Sequence, residues 1–330
     1  MTPRASRLEL ALDSGLFDLP PEGRIAVFRP MPGEDLSALP KERVTVLTGW
    51  RPAQEHFQKL GFETEVTGPH AMAVVCMPRA REHARALLAE AAGLLPPGAP
   101  VVVDGQKTDG VDAMLKELRG HVALSEALAK AHGKIAVFRA GPELAGWAAA
   151  LQRVEGGFIT RPGVFSADGP DRGSVLLAGY LPEKLGPKIV DLGAGWGYLS
   201  CAVLARAGVK RLDLVEAERD ALDCARENVV DDRARFHWVD ALSFRPESLV
   251  ETVVTNPPFH AGRNADPALG AAFIAAARRM MAPDGQLWMV ANRHLPYDPV
   301  LAEHFLEFET VFADSAFRVV RAVKPRRRPR

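Results

Sequence analysis

The stretch that most restricts the fold of this chain runs from Lys188 to Gly197. The apolar pair Ile189 and Val190 leads into Asp191, and glycines then recur at alternate positions, Gly193, Gly195 and Gly197. A parallel strand that turns at once into a helix, with its backbone close to a ligand, needs residues without a Cβ at that turn. A dinucleotide enzyme would space them Gly-x-Gly-x-x-Gly, the helix N-terminus facing a pyrophosphate. Here Tyr198 stands where that pattern wants its last glycine. The spacing turns the reading away from a dehydrogenase and leaves two alternatives, a nucleoside site or a tight turn with no ligand.

The next strand ends favour the nucleoside. The run Leu212 to Val215 ends in Glu216, about 20 residues after the glycines, where an acid can accept both ribose hydroxyls. The run Ala234 to Val239 ends in Asp240 and Ala241, an acid and a backbone amide suited to the edge of an adenine. Each acid alone is an ordinary solvated strand end. Acids at successive strand ends of an open α/β sheet line one crevice, where such sheets bind ligands.

Further on, the apolar run Leu249, Val250, Val253, Val254 meets Asn256, Pro257, Pro258 and Phe259. By itself this is a polar turn that ends a strand. Two prolines also fix φ and remove N–H groups, so the strand exit is rigid. The Asn256 side-chain oxygen and the Pro257 carbonyl then remain as two fixed acceptors. They suit one planar NH₂ group, whose lone pair they can turn toward an electrophile. Phe259 offers a face on which a flipped-out base could stack.

With these residues in place the chain resembles the class I S-adenosylmethionine methyltransferases that carry an Asn-Pro-Pro-aromatic motif. The resemblance runs from about Phe158 to Lys324 and includes Gly163, Val164, Phe165, Ser166, Asp168, Gly169, Asp171, Gly173 and Ser174 upstream. Downstream it takes in His260, Gly262 and the run Ala291 to Tyr297. These are similar to the bacterial ribosomal RNA guanine-N2 methyltransferases, with the small-subunit enzymes nearest and the large-subunit ones as neighbours. The resemblance implies S-adenosylmethionine as co-substrate, held by Asp191, Gly193, Gly195, Gly197, Glu216, Asp240, Ala241 and Asn256, with Asn256, Pro257 and Phe259 catalytic and no metal. It also implies that the segment before Ser174 covers the donor pocket. The expected partner is ribosomal RNA or a ribosomal subunit, and the expected state a cytoplasmic monomer. The motif also serves enzymes that methylate adenine N6 or a protein glutamine amide, and a non-enzymatic RNA-binding scaffold is the remaining reading.

A duplicated domain is visible in the sequence itself. The run Met72 to Pro78 parallels Thr252 to Pro257, and each precedes an Ala/Arg-rich amphipathic stretch. A turn follows at Pro97-Gly98 or Pro283-Asp284-Gly285, then an apolar strand at Pro100 to Val103 or Gln286 to Val290. One supersecondary plan has been used twice. In the first copy Met77 replaces the amide, and the strand Arg24 to Phe28 runs into Arg29-Pro30-Met31-Pro32-Gly33 with no glycine turn. The expected architecture is therefore α/β, with tandem duplicated Rossmann-like methyltransferase domains. Residues 1–150 form a degenerate copy without cofactor that grips RNA or supports its partner. Residues 151–330 form the catalytic copy on a seven-stranded, mostly parallel sheet, with Glu155 to Asp171 as a linker region in which Phe158, Ile159, Thr160 and Phe165 are too apolar for free solvent.

A length of 330 residues suits two domains, and no apolar run approaches a membrane span. The N-terminus mixes Arg4, Arg7 and Glu9 and lacks a signal-peptide core. Cys76, Cys201 and Cys224 lack metal-site spacing and read as buried reduced thiols. The formal net charge is zero, yet Arg318, Arg321, Lys324, Arg326, Arg327, Arg328 and Arg330 follow the last acid, Asp314. They read as an unpacked basic tail able to neutralise phosphates. Arg263, Arg293 and His294 are a second basic group, placed by the expected fold beside the acceptor. Trp196, inside the glycine turn, is expected either to stack on the donor or to narrow its pocket.

Overall fold

The structure, a computed structural model, describes residues 2–258, 260–261, 264–265 and 267–326. Two compact units divide the chain, Met1–Ala150 and Leu151–Arg330.

The first unit runs α1 (Pro3–Asp13), β1 (Arg24–Phe28), β2 (Val44–Leu47), α2 (Arg51–Lys59), β3 (His70–Cys76), α3 (Arg81–Leu94), β4 (Pro100–Gln106), α4 (Val111–Leu118), β5 (Leu128–Lys130) and β6 (Gly133–Arg139). Its sheet has the order β2-β1-β3-β4-β6-β5. The first four strands are parallel and β6 and β5 antiparallel. The strands are nearly continuous runs of valine, isoleucine and alanine because both faces are covered. Phe28, Val75, Val101 and Val103 pack with Leu88 and Leu115 on one face, and Ile25, Val27, Val74 and Val102 with Leu8 and Phe57 on the other.

The second unit continues with β7 (Gln152–Arg153), β8 (Ile159–Thr160), α5 (Arg172–Tyr180), β9 (Lys188–Leu192), α6 (Tyr198–Leu204), β10 (Arg211–Glu216), α7 (Arg219–Asn228), β11 (Ala234–Trp238) and β12 (Val250–Thr255). There follow β13 (His260–Ala261), β14 (Asn264–Ala265), α8 (Pro267–Met280), β15 (Met281–Asn292), α9 (Asp298–His304), β16 (Phe305–Ala313) and β17 (Phe317–Pro325). The seven-stranded sheet has the order β11-β10-β9-β12-β15-β17-β16. Five strands are parallel and the β17-β16 end is antiparallel.

The two orders superimpose strand for strand once β11 is left out, so the duplicated, Rossmann-like architecture expected from the sequence is the one observed. The correspondence extends to single hydrogen bonds. Leu192 pairs with Val215 and Phe28 with Leu47, and the next residue donates back in both units, Gly193 N–H to Val215 O at 2.9 Å and Arg29 N–H to Leu47 O at 2.8 Å. Arg29 holds φ 54° where Gly193 holds 79°, a left-handed conformation that costs an L-residue about 1–2 kcal/mol. The first copy has kept the shape of the turn after losing its glycine.

Two expectations need correction. The Pro283-Asp284-Gly285 turn lies within β15, whose pairing passes from Val250↔Met281 to Thr252↔Gln286 across an irregularity. Residues 155–171 are held against the rest of the second unit, in keeping with their apolar side chains: β8 is bonded to the end of α7, where the Asn228 side chain accepts from Ile159 N at 2.6 Å and donates to Ile159 O at 2.8 Å. The basic run is no loose tail as far as Arg326. Val319, Val320 and Ala322 are buried in β17, while Arg318 meets Asp298, Arg321 meets Glu309 and Lys324 meets Glu307. Arg327, Arg328 and Arg330 lie outside the described residues. Of the thiols, Cys76 and Cys224 are buried as expected and Cys201 only half-buried. Among the described residues no helix is long and apolar enough to cross a membrane.

Candidate active site in the second unit

Sheet register brings the predicted residues to one edge. Leu214 and Val254 both lie opposite Asp191, so the chain leaves β9, β10 and β12 at Gly193, Glu216 and Asn256 on the same side. Gly193, Gly195 and Gly197 take φ values of 79°, 56° and 93°, the left-handed region in which a Cβ is costly. Their surroundings differ. A Cβ on Gly197 would stand 2.7 Å from Val229 Cγ2, so this glycine serves the packing of the following helices. A Cβ on Gly195 would meet no atom within 4 Å. Gly195 borders a cleft that it shares with Gly193, Phe165, Asp171, Tyr198 and Asn256.

Glu216 ties the turn to the next strand. Gly195 N–H donates to its Oε2 and Glu218 N–H to its Oε1, both at 2.8 Å. Burial raises the pKa of this carboxyl against the pull of those amides. Each oxygen keeps a lone pair for a further donor. Asp191 sits deeper, fully buried, with its Oδ2 accepting from Ser200 Oγ at 2.6 Å. Its Oδ1 has no partner among the described residues. Burial, aided by the charge of Glu216 and opposed by the Ser200 hydrogen bond, pushes the Asp191 carboxyl up to about 7.

Asn256 follows β12 and borders the cleft from the other side. Its Nδ2 donates to Asp171 Oδ2 and to Ser174 Oγ, both at 2.9 Å. Asp171 is also the N-cap of α5, accepting from Ser174 N at 2.9 Å. With both amide hydrogens committed, the oxygen end of Asn256 is the end left for a ligand. Pro257 is buried and Pro258 exposed, and Phe259 lies outside the described residues. Asp171 and Ser174 had been noticed in the sequence only as part of a resemblance. Their contact with Asn256 spans 85 and 82 positions, and no local pattern announces it.

Trp196 is among the residues that border the cleft, with most of its side chain buried. Its indole is 4% exposed and packs among Val164, Ala221 and Cys224, with Phe158 and Tyr198 against its edges. Its Nε1 donates to Phe165 O at 2.9 Å, and its own carbonyl accepts from Asn228 Nδ2 at 2.8 Å. The residue fastens the 158–166 segment beside the glycine turn, and the 57% exposed Phe165 is carried to the cleft. Asp240 turns its Oδ1 to Leu242 N at 2.9 Å, and Ala241 is buried among Leu192 and Val215. Neither is among the residues that border the cleft. Of the second basic group, Arg293 is engaged with Asp314 O at 2.9 Å, and Arg263 lies outside the described residues.

This donor set fits S-adenosylmethionine. The orphaned, buried Asp191 oxygen suits an ammonium group, the Glu216 oxygens suit ribose hydroxyls, and Gly195 leaves room for backbone contact. Among the described residues no three His, Cys, Asp or Glu side chains are grouped to hold a metal ion.

Strand order, glycine turn and strand-end acid together define a class I methyltransferase fold. Residues 155–321 match the family model described as Methyltransferase small domain, and the chain belongs to that family. It is 30% identical to ribosomal RNA small subunit methyltransferase C of Pseudomonas aeruginosa over 273 residues, covering 79% of this chain and 82% of that one. Ribosomal RNA large subunit methyltransferase G of Streptomyces avermitilis is 36% identical over 166 residues, covering 49% of this chain and 44% of that one. Among solved structures, the T. thermophilus 16S rRNA N2 G1207 methyltransferase in complex with AdoMet and guanosine aligns at a TM-score of 0.79 and 26% identity. That alignment covers 98% of this chain and 92% of the other.

Proposed function

We propose that this chain transfers a methyl group from S-adenosylmethionine to the exocyclic N2 amine of a guanine in small-subunit ribosomal RNA. The observation that carries the reading is the fixed orientation of Asn256, with its NH₂ end bound to Asp171 and Ser174 and its oxygen end left for the cleft that Gly195 also borders. A side-chain oxygen held this way, with the Pro257 carbonyl, is the pair of acceptors a planar amine needs. Likeness to the small-subunit relatives over most of both chains supports the choice of substrate.

In this reading the Gly193 to Gly197 turn lies along the donor, Asp191 receives its ammonium group, Glu216 its ribose and Asp240 with Ala241 its adenine. When bound, S-adenosylmethionine supplies an electrophilic methyl on a sulfonium. Asn256 and Pro257 accept the two N–H bonds of the guanine amine and turn its lone pair toward that methyl, an orientation effect worth several kcal/mol in bimolecular transfer. The methylated nitrogen is acidic enough to release its proton to water, so no strong general base is required. Phe259 stacks the base, an assignment that rests on the sequence. The first unit supports the catalytic one or grips RNA, and the enzyme acts as a cytoplasmic monomer on RNA or on an assembling subunit.

The test is label transfer from radioactive S-adenosylmethionine to purified small and large ribosomal subunits, followed by nucleoside chromatography. N2-methylguanosine in small-subunit RNA is the expected product. Label in large-subunit RNA, in N6-methyladenosine or in protein would replace the substrate, and no label at all would leave a scaffold.

A further inference from the structure

A free asparagine amide is ambiguous, since it can show a partner either its oxygen or its NH₂. An NH₂ end turned to the cleft would face an incoming amine with donors against donors. The structure removes the ambiguity on the first turn of α5. Asp171 Oδ2 and Ser174 Oγ each take one hydrogen of Asn256 Nδ2 at 2.9 Å, and Asp171 is fixed in turn by Ser174 N–H at 2.9 Å. A flipped amide would put its oxygen against the Asp171 carboxylate. Gly173 belongs to the same device, for a Cβ there would stand 3.0 Å from Asp171 Oδ2 and 3.3 Å from the Phe317 ring.

We infer that Asp171 and Ser174 are positioning residues for methyl transfer: they lock the Asn256 amide oxygen-outward, and the Asp171 charge polarises it into a stronger acceptor. The inference rests on the proposed function and adds a source of selectivity. A site that shows only acceptors admits an N–H-bearing amine and turns away a ring nitrogen or carbonyl oxygen, whose lone pairs it would repel. Charge assistance roughly doubles the strength of a hydrogen bond, and a low local dielectric strengthens it further.

The decisive test exchanges the two groups in the full-length protein. Asp171→Asn and Ser174→Ala are each expected to lower kcat about tenfold or more, with the S-adenosylmethionine Kd nearly unchanged. Asn256→Asp sets two carboxylates together and is expected to be inactive at pH 8, regaining some activity at acidic pH as the pair shares a proton. In the Asp171→Asn, Asn256→Asp double variant the new amide can donate to the new carboxylate only by giving up the Ser174 N–H bond that Asp171 Oδ2 also accepts, so activity is expected to recover about tenfold over Asn256→Asp alone but to stay below the wild type. A double variant no better than Asn256→Asp, together with wild-type kcat in Asp171→Asn, would reduce Asp171 to a helix cap and overturn the inference.

Urea unfolding of the same four proteins reads the contact without any activity. Non-additive stabilities in the double variant support the pairing, and additive ones overturn it. If the wild type labels adenine or protein, the substrate proposed above falls while the exchange experiment still decides the pairing. If it labels nothing, the role in transfer falls too.

Discussion

In the proposed function Asp191 serves binding at the expense of stability. Its carboxyl is raised from 3.8 to about 7 by burial, so between those pH values the native chain holds a proton that the unfolded chain has lost. This contribution to stability is complete below about pH 4 and is lost as the pH climbs through 7. Asp191→Asn should flatten that slope and raise stability at pH 8 by roughly 2–4 kcal/mol, measured by urea unfolding from pH 4 to 8. The same variant should bind S-adenosylmethionine more weakly by calorimetry, because a neutral amide replaces the orphaned anionic oxygen. An unchanged pH slope would show that Asp191 is ionised in the native state throughout. Asp191, Glu216 and Asn256 could be picked out in the sequence because strand ends and glycine turns are local patterns. What each touches could not, since Ser200, Gly195 and Asp171 are chosen by packing across the sheet.

At the scale of elements, the 158–166 segment owes its place to Trp196 and Asn228. Trp196→Phe keeps most of the packing and leaves the Phe165 carbonyl without its donor, an expected cost of about 1–3 kcal/mol. Trp196→Ala also opens a cavity and should cost about 3–5 kcal/mol. Hydrogen exchange over residues 158–167 should rise in both variants, more in the second, while the β9 and β12 amides stay protected. Equal exchange in wild type and Trp196→Ala would mean that the segment is held by its ties to α7, Asn228 with Ile159 and Arg161 with Asp220, without help from the indole. The sequence showed that Phe158, Ile159 and Phe165 were too apolar for open solvent. It did not show which way the indole turned, because a bulky residue between glycines reads alike whether it faces the ligand or the core.

Over the whole molecule, one strand plan has been kept in two states. Repeated strands and turns are spelled out in the chain, so the duplication was legible before any coordinates. The fate of the first copy's interior was not. Arg4 and Arg7 of α1 converge on the Asp104 carboxylate, with Arg4 also paired to Glu34 at 2.9 Å. Arg7 and Asp104 are fully buried and Arg4 nearly so, and the cluster interacts with Cys76 at the end of β3, whose thiol burial holds well above its usual range. Asp104→Ala would strand two guanidinium groups away from water and should destabilise the first unit by about 3–5 kcal/mol, visible as an early unfolding transition that the second unit does not share.

That ion cluster also limits how the first copy can change. Arg29 still bends as a glycine would, so restoring a glycine there is a small step for the backbone. Expelling Arg4, Arg7 and Asp104 is not, because each single loss leaves an uncompensated charge behind and an intermediate less stable than either end. The three side chains are mutually dependent, and a lineage that changes one residue at a time meets a less stable intermediate before it can replace any of them.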